Sequence, residues 1–326
     1  MSAQNPQSLF KYLSFGERLL EQLCYKQVYY ASPASFNDPL DCQPVVTADG
    51  GISNDALEQL LAEMIRRRSR KEIDVAMKKL TLQEEGDTAR RNALVENEAK
   101  KTIGILGYEA TNPEIVDQTG YHHDGLTRAI GHEMRKGYGT GLLCLSSKFD
   151  SPLMWSHYAD QHRGVCIEYD VSKVKQGSLH KVFYDTARAV SANQLHDFFV
   201  SGNENTRSAI DTACLLTKST EWRYESEWRI LGPLGLRKSP GTLKSVIFGM
   251  RCTETLQYAI VKSMEDRYKL EGRGKVKLWE ITKPSDGFKL KRKPIDPKVV
   301  RQRISAADDF EDLTVSDDQN EWPSAN

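Results

Sequence analysis

No stretch of this 326-residue chain approaches the roughly 20 consecutive apolar residues that span a bilayer, so no membrane-spanning helix and no membrane partner are expected. The opening MSAQNPQSLF lacks the basic segment and apolar run of a secretion signal. Neither sign of charge is in excess, since 45 Lys and Arg face 45 Asp and Glu. A neutral chain has no global pull toward nucleic acid or an anionic surface, which leaves only local patches for such contacts. The six cysteines, Cys24, Cys42, Cys144, Cys166, Cys214 and Cys252, stand singly with no CxxC pair, which argues against a zinc knuckle, and no metal ligands are assigned. Cys144, Cys166 and Cys214 lie in apolar runs and read as small core residues. Unpaired cysteines without a leader point to a cytoplasmic location. Also missing are a GxxxxGK[ST] phosphate loop, a GxGxxG turn after a strand, an HExxH zinc helix and a GxSxG nucleophile elbow. Their absence speaks against a P-loop nucleotidase, a Rossmann dehydrogenase, a zincin and an α/β-hydrolase.

Apolar periodicity predicts an α+β fold with a mixed, mainly antiparallel sheet and a helical insertion. SLFKYLS reads as a strand, FGERLLEQLCYKQ as a helix, VYYASP as a strand and ASFNDPLD as a turn. From Asn54 to about Leu106 the composition becomes charged with a thin apolar stripe, which predicts two helices, and residues 114–136 add a third. The basic run IRRRSRK, Ile65 to Lys71, reads as a solvated helix face rather than a nucleic-acid patch. Strands return with GLLCLSS, GVCIEYD, KVFYD, YESEWRIL, KSVIFG, KVKLWEITK and FKLKRKPI. Helices are expected over PLMWSHYADQH, with Ser151 as cap and Pro152 first, over Asn205 to Thr217, and over ETLQYAIVKSMEDRYK. The expected organisation is a core of residues 8–50 and 138–303, an insertion at 51–137, and an acidic tail at 304–326, which composition predicts to be disordered.

Three polar clusters ask for an explanation. FNDPLD brings Phe36, Asn37, Asp38 and Asp41 into a turn, where side-chain caps are the plain account. SPLMWSHYADQHRG gathers Met154, Trp155, His157, Tyr158 and His162 at a helix-to-strand junction, where core packing competes with a pocket for a flat charged ligand. KSTEWRYESEWRIL places Glu225, Glu227 and Arg229 at alternate positions, hence on one strand face. Charges so arranged are costly unless they are paired or used. An exposed edge strand is the plain account, and acids beside Lys218 could instead hold magnesium for nuclease chemistry.

Together, LFKY, VYYASPASFNDPLD, MWSHYADQHRGVCIEYD and EWRYESEWRI resemble the bacterial domain-of-unknown-function family 2971, in the same order over about residues 9 to 250. Its members occur near bacterial defence genes. The resemblance therefore implies a toxin or anti-phage effector with an antitoxin or defence-operon partner. The order of elements is also similar to that of ADP-ribosyltransferases, especially those that modify DNA bases, and this second resemblance implies NAD as substrate. KYLSFGERLLEQLCYKQVYYAS matches their opening strand–helix–strand, with Lys11 or Tyr12 where a histidine or arginine is usual. LLCLSSKFDSPLMWSHYA matches the strand ending in serines, with Ser146, and the helix bearing a stacking aromatic, Trp155 or Tyr158. YESEWRIL offers the ExE glutamates, Glu225 and Glu227. FNDPLD has no counterpart in that scheme. The resemblance implies Glu227 stabilising the oxocarbenium-like sugar, Glu225 serving the acceptor, Lys11 or His157 holding ribose or phosphate, and Arg229 on the pyrophosphate. The implied catalytic set is Glu227, Glu225 and His157. Lys11, Tyr12, Asn37, Asp38, Ser146, Trp155, Tyr158 and Arg229 form the implied nucleotide-binding set, and a nucleic acid or protein is the acceptor. Two alternatives stand beside it: a metal-dependent nuclease built on Asp38, Asp41, Glu225, Glu227 and Lys218, and a non-catalytic ligand-sensing or interaction protein.

Overall fold

A computed structural model of the chain describes residues 6–48, 50–80, 87–137, 139–175, 177–184, 186–271 and 276–305. The acidic stretch after Ala307 lies outside the described residues. The chain begins with β1 (Ser8–Leu13), α1 (Glu17–Tyr25), β2 (Gln27–Tyr30) and β3 (Val45–Thr47). Three long helices follow, α2 (Asn54–Leu80), α3 (Asp87–Ala110) and α4 (Gln118–Gly137). Next come β4 (Thr140–Ser146), α5 (Pro152–Tyr158), β5 (Val165–Asp170), β6 (Leu179–Lys181), β7 (Phe183–Tyr184) and β8 (Ala189–Ser191). They lead to α6 (Ala192–Phe199), α7 (Arg207–Leu215), β9 (Thr217–Lys218), β10 (Glu227–Pro233) and β11 (Gly235–Lys238). The described chain closes with β12 (Thr242–Phe248), α8 (Glu254–Glu271), β13 (Lys277–Thr282), β14 (Lys291–Pro294) and α9 (Pro297–Ser305). The fold is α+β, and its strand pairs are mainly antiparallel, as expected.

The chain divides into two compact units. The first contains residues 28–147 and 174–238. Its strands run β4-β10-β6, with β10 antiparallel to both neighbours, so the EWRIL strand is internal rather than an exposed edge. The helices of residues 54–137 share one apolar cluster with the rest of this unit. Leu57, Leu60, Leu61 and Ile65 of α2 and Leu126 and Ile130 of α4 join Leu142 of β4, Leu195 of α6 and Ile210 of α7. The thin stripes read from sequence suffice because each helix buries one face against two neighbours. The basic run of α2 is an ion-paired face: Arg66 grips Glu96 of α3 at 2.7 and 3.1 Å, Arg67 binds Glu63, and Arg68 meets Glu133 of α4 at 2.6 Å.

The second unit contains residues 6–27, 148–173 and the described residues from 239 onward. Its strands run β14-β13-β12-β5-β1, and only β12 and β13 pair in parallel. All of β5 except Asp170 is buried, which explains why VCIEY reads as an apolar run.

Two local expectations are corrected. The helix starting at Pro152 ends at Tyr158, not at His162. Asp160, Gln161 and His162 follow with φ of 46, 51 and 71°, three consecutive left-handed residues that turn the chain back into β5. YESEWRIL is not one strand. Thr220–Glu225 form a 3-10 turn, Ser226 is left-handed at φ 47°, and β10 starts at Glu227. Glu225 and Glu227 are therefore brought together by a turn, not by strand alternation.

Candidate functional site

Five ionisable side chains meet inside the first unit. Asp41 leaves the FNDPLD turn, Lys218 ends β9, Glu225 ends the 3-10 turn, and Glu227 and Arg229 project from the same face of β10. None is more than 8% exposed. Lys218 Nζ lies 2.6 Å from Glu225 Oε2, 3.3 Å from Glu227 Oε2 and 3.3 Å from Asp41 Oδ2. Arg229 donates from Nε to Glu227 Oε1 at 2.8 Å and from Nη2 to Glu227 Oε2 at 2.9 Å. The same Nη2 reaches both oxygens of Asp41, at 3.0 and 2.8 Å. Nη1 donates to Leu215 O at 2.7 Å and lies 3.1 Å from Cys42 Sγ. The planar fork suits this role, because it serves two carboxylates and a carbonyl at once.

Burial opposes the charges of Glu227, Lys218 and Arg229, and the opposite charges win. Burial pushes the Glu227 carboxyl up, but Arg229 and Lys218 outweigh it and hold the group well below the usual carboxylate range. Burial would lower Lys218, but Glu227, Glu225 and Asp41 raise it above its ordinary value. Arg229 is raised in the same way, chiefly by Glu227 against the burial. The Cys42 thiol is pushed up by burial and stays neutral.

Half-buried aromatic rings border the network. Trp222 lies with its ring 4.9 Å from Lys218 Nζ and donates Nε1–H to Asp38 Oδ2 at 2.7 Å. Tyr224 tilts against Trp222 at 5.9 Å, and Phe36 lies 5.4 Å from the Arg229 guanidinium carbon. The Tyr184 hydroxyl accepts from Glu227 N at 3.1 Å, and burial pushes its phenol up to about 12. Ser146 donates to the carbonyl of Glu225 at 2.6 Å, and Ser147 donates from N and Oγ to that of Ser226 at 3.1 Å each. These serines fasten the turn that carries the glutamate.

The second unit holds the aromatic corner. Trp155 is fully buried, donates Nε1–H to Phe149 O at 2.7 Å, meets Tyr12 edge-on at 5.2 Å and stacks on His162 at 5.8 Å. Its faces are taken by protein, so at this residue packing answers the question that the sequence raised. Tyr12 is also buried and donates its hydroxyl to Lys148 O at 2.9 Å. His157 is exposed, with Tyr158 half-buried beside it, and Lys11 is half-buried on β1. A second buried carboxylate, Glu168 on β5, is bound by Lys244 at 2.8 Å, Arg292 at 3.0 Å and Ser245 at 2.7 Å. Arg292 in turn lies over Phe149 and Trp279, at 4.4 and 4.6 Å.

Residues 154–230 match the family model described as a protein of unknown function, DUF2971. Over this stretch the chain resembles that family. No curated protein and no solved structure matches the chain significantly. The DUF2971 stretch runs from the Trp155 corner to Ile230, so it includes Lys218, Glu225, Glu227 and Arg229 and leaves Asp41 outside.

Of the residues singled out from sequence, Glu227 and Arg229 meet directly, Glu225 joins them through Lys218, Asp38 borders them through Trp222, Ser146 supports them, and Asn37 is exposed on the adjoining turn. Lys11, Tyr12, Trp155, His157 and Tyr158 belong to the other unit. The gathered set is nearest to the one named for a nuclease, since Asp41 and Lys218 are central to it. Yet no group of three or more His, Cys, Asp or Glu among the described residues is placed to hold a metal ion. Lys218 and Arg229 lie between the carboxylates instead. Trp222, Tyr184 and Cys42 were missed. Trp222 carried a signal, as an aromatic within KSTEWRYESEWR, but nothing in sequence tied it to Asp38.

Proposed function

We propose that the first unit binds a nicotinamide nucleotide of the NAD type and breaks its glycosidic bond, with Glu225 and Glu227 as the carboxylate pair. The observation that carries this reading is the buried pair of carboxylates, Glu225 and Glu227, bordered by the rings of Trp222 and Tyr224. A flat cationic ring suits both features: it stacks on an aromatic face and is drawn to carboxylates. When the bond between ribose C1′ and the ring nitrogen breaks, the electron pair leaves with neutral nicotinamide. The positive charge then moves onto the sugar, where a fixed carboxylate stabilises it. Water or another acceptor hydroxyl attacks C1′ and loses its proton. In this reading the stacking role belongs to Trp222 or Tyr224 rather than to Trp155. An effector role in defence is consistent with NAD consumption and rests on the family resemblance.

One observation favours binding without chemistry: Glu227 and Arg229 are already fully engaged with protein partners. Purified protein incubated with NAD, followed by mass spectrometry, separates the two. Released nicotinamide supports the transferase or hydrolase reading, with at least about a hundredfold loss in Glu225→Gln. Saturable NAD binding by calorimetry without nicotinamide supports a sensor. Neither binding nor release overturns both.

A further inference from the structure

The outward face of α3 carries a pattern that its own fold uses only in part, where Arg91 bonds Asp74 at 2.9 Å and Glu98 lies 4.0 Å from Arg68. α3 buries Val95 and Ala99 against the rest of the first unit. On another side it presents Arg91, Leu94, Glu98, Lys101, Ile105 and Tyr108, spaced by three or four residues. At about 3.6 residues per turn these six fall within roughly 100° of the circumference, so they form one face. Leu94 is 54% exposed, Ile105 49% and Tyr108 80%, and Glu98 and Lys101 lie between them on the surface. Apolar side chains recurring along an exposed helix face make a seam for another helix.

The charges say which helix fits. If a second α3 is laid antiparallel, with the two-fold axis between Ala99 and Lys100, Glu98 falls opposite Lys101 and Lys101 opposite Glu98. Leu94 falls opposite Ile105, and Tyr108 opposite Arg91, whose Nη1 keeps its 2.9 Å bond to Asp74. Every position meets its chemical complement. A parallel pair would set Glu98 against Glu98 and Lys101 against Lys101, which is repulsive. Self-complementarity under a two-fold axis is what an isologous dimer requires. We propose that this face of α3 is the interface of a homodimer, formed by an antiparallel pair of α3 helices from two copies of the chain.

The test is the mass of the full chain in solution by light scattering, with charge reversals as the specific probe. Wild type at about 100 μM should run at twice 36.9 kDa, because a stable interface is populated there. E98K puts Lys against Lys, and K101E puts Glu against Glu. Each alone should raise the dimer dissociation constant at least about tenfold. Mixing the two variants, or combining both changes in one chain, restores opposite pairing and should restore the dimer. L94E should weaken it without such rescue. A monomer at every concentration overturns the proposal. So does a dimer that ignores E98K, K101E and L94E, since it would be held by another surface.

Discussion

Arg229 shows what a single side chain does in this protein. It is 0% exposed, and its three nitrogens reach two carboxylates, a carbonyl and a thiol. Removing one partner from a buried ionic set leaves charges with neither water nor counter-ion. Arg229→Met should therefore lower the unfolding free energy by about 3–5 kcal/mol in urea titrations. A loss below about 1 kcal/mol would mean that water reaches these carboxylates. Glu225→Gln should behave differently. Lys218 keeps Glu227 and Asp41, so the fold should lose less than in Arg229→Met, while any NAD cleavage should be abolished. At this scale the sequence was partly legible. Charged residues at Glu225, Glu227 and Arg229 inside an apolar strand pattern had to be paired or used. What it concealed was the partner: Asp41 meets Arg229 across 188 positions. Whether Trp155 packs or stacks on a ligand was not legible, because an aromatic residue reads the same whether it meets a ligand or His162.

Among the elements, the turn between α5 and β5 departs most from its sequence pattern. A helix that ran on to His162 would disfavour glycine at Gln161 by about 0.8–1.0 kcal/mol relative to Ala. In the structure Gln161 has φ 51°, where an L side chain costs roughly 1–2 kcal/mol and glycine does not. Gln161→Gly should leave the melting temperature unchanged or raise it. Glycine at Gly164 is needed for a different reason. An added Cβ would press into the carbonyl oxygen of Leu13 and lie 3.1 Å from that of Ala159, both backbone atoms that cannot swing away. Gly164→Ala should cost about 1–3 kcal/mol, read by the same urea titration. Helices α2, α3 and α4 were legible because 20 or more residues of one period outweigh local noise. The 3-10 turn ahead of β10 was not, because alternation of Glu225 and Glu227 mimics a strand over so short a run.

For the whole molecule, acid stability should follow buried groups with shifted titration. Burial alone would raise Glu168, but hydrogen bonds from Lys244, Ser245, Arg292 and Ser8 outweigh it and lower it from 4.5 to about 2. The folded state thus holds this carboxylate ionised where the unfolded chain would protonate it. The stability it contributes is complete above about 4.5 and is lost as pH falls toward 2. His162 is lowered from 6.5 by burial and by Arg251, so its neutral form is favoured in the fold, and stability begins to fall below 6.5. Urea midpoints measured from pH 7 downward should show both losses. Glu168→Gln should flatten the lower one and leave the upper. An unchanged profile in Glu168→Gln would remove that carboxylate from the account. Sequence by itself determined the long helices, most of the sheet strands and the α+β class, because apolar period and turn residues are local quantities. It also determined that the charges of EWRYESEWR had to be paired or used, because a charge among apolar neighbours is costly wherever it lies. Only the tertiary structure decided which charges meet and that Trp155 is core. Those outcomes depend on distances between segments far apart in the chain, and on which face of each side chain is left to water.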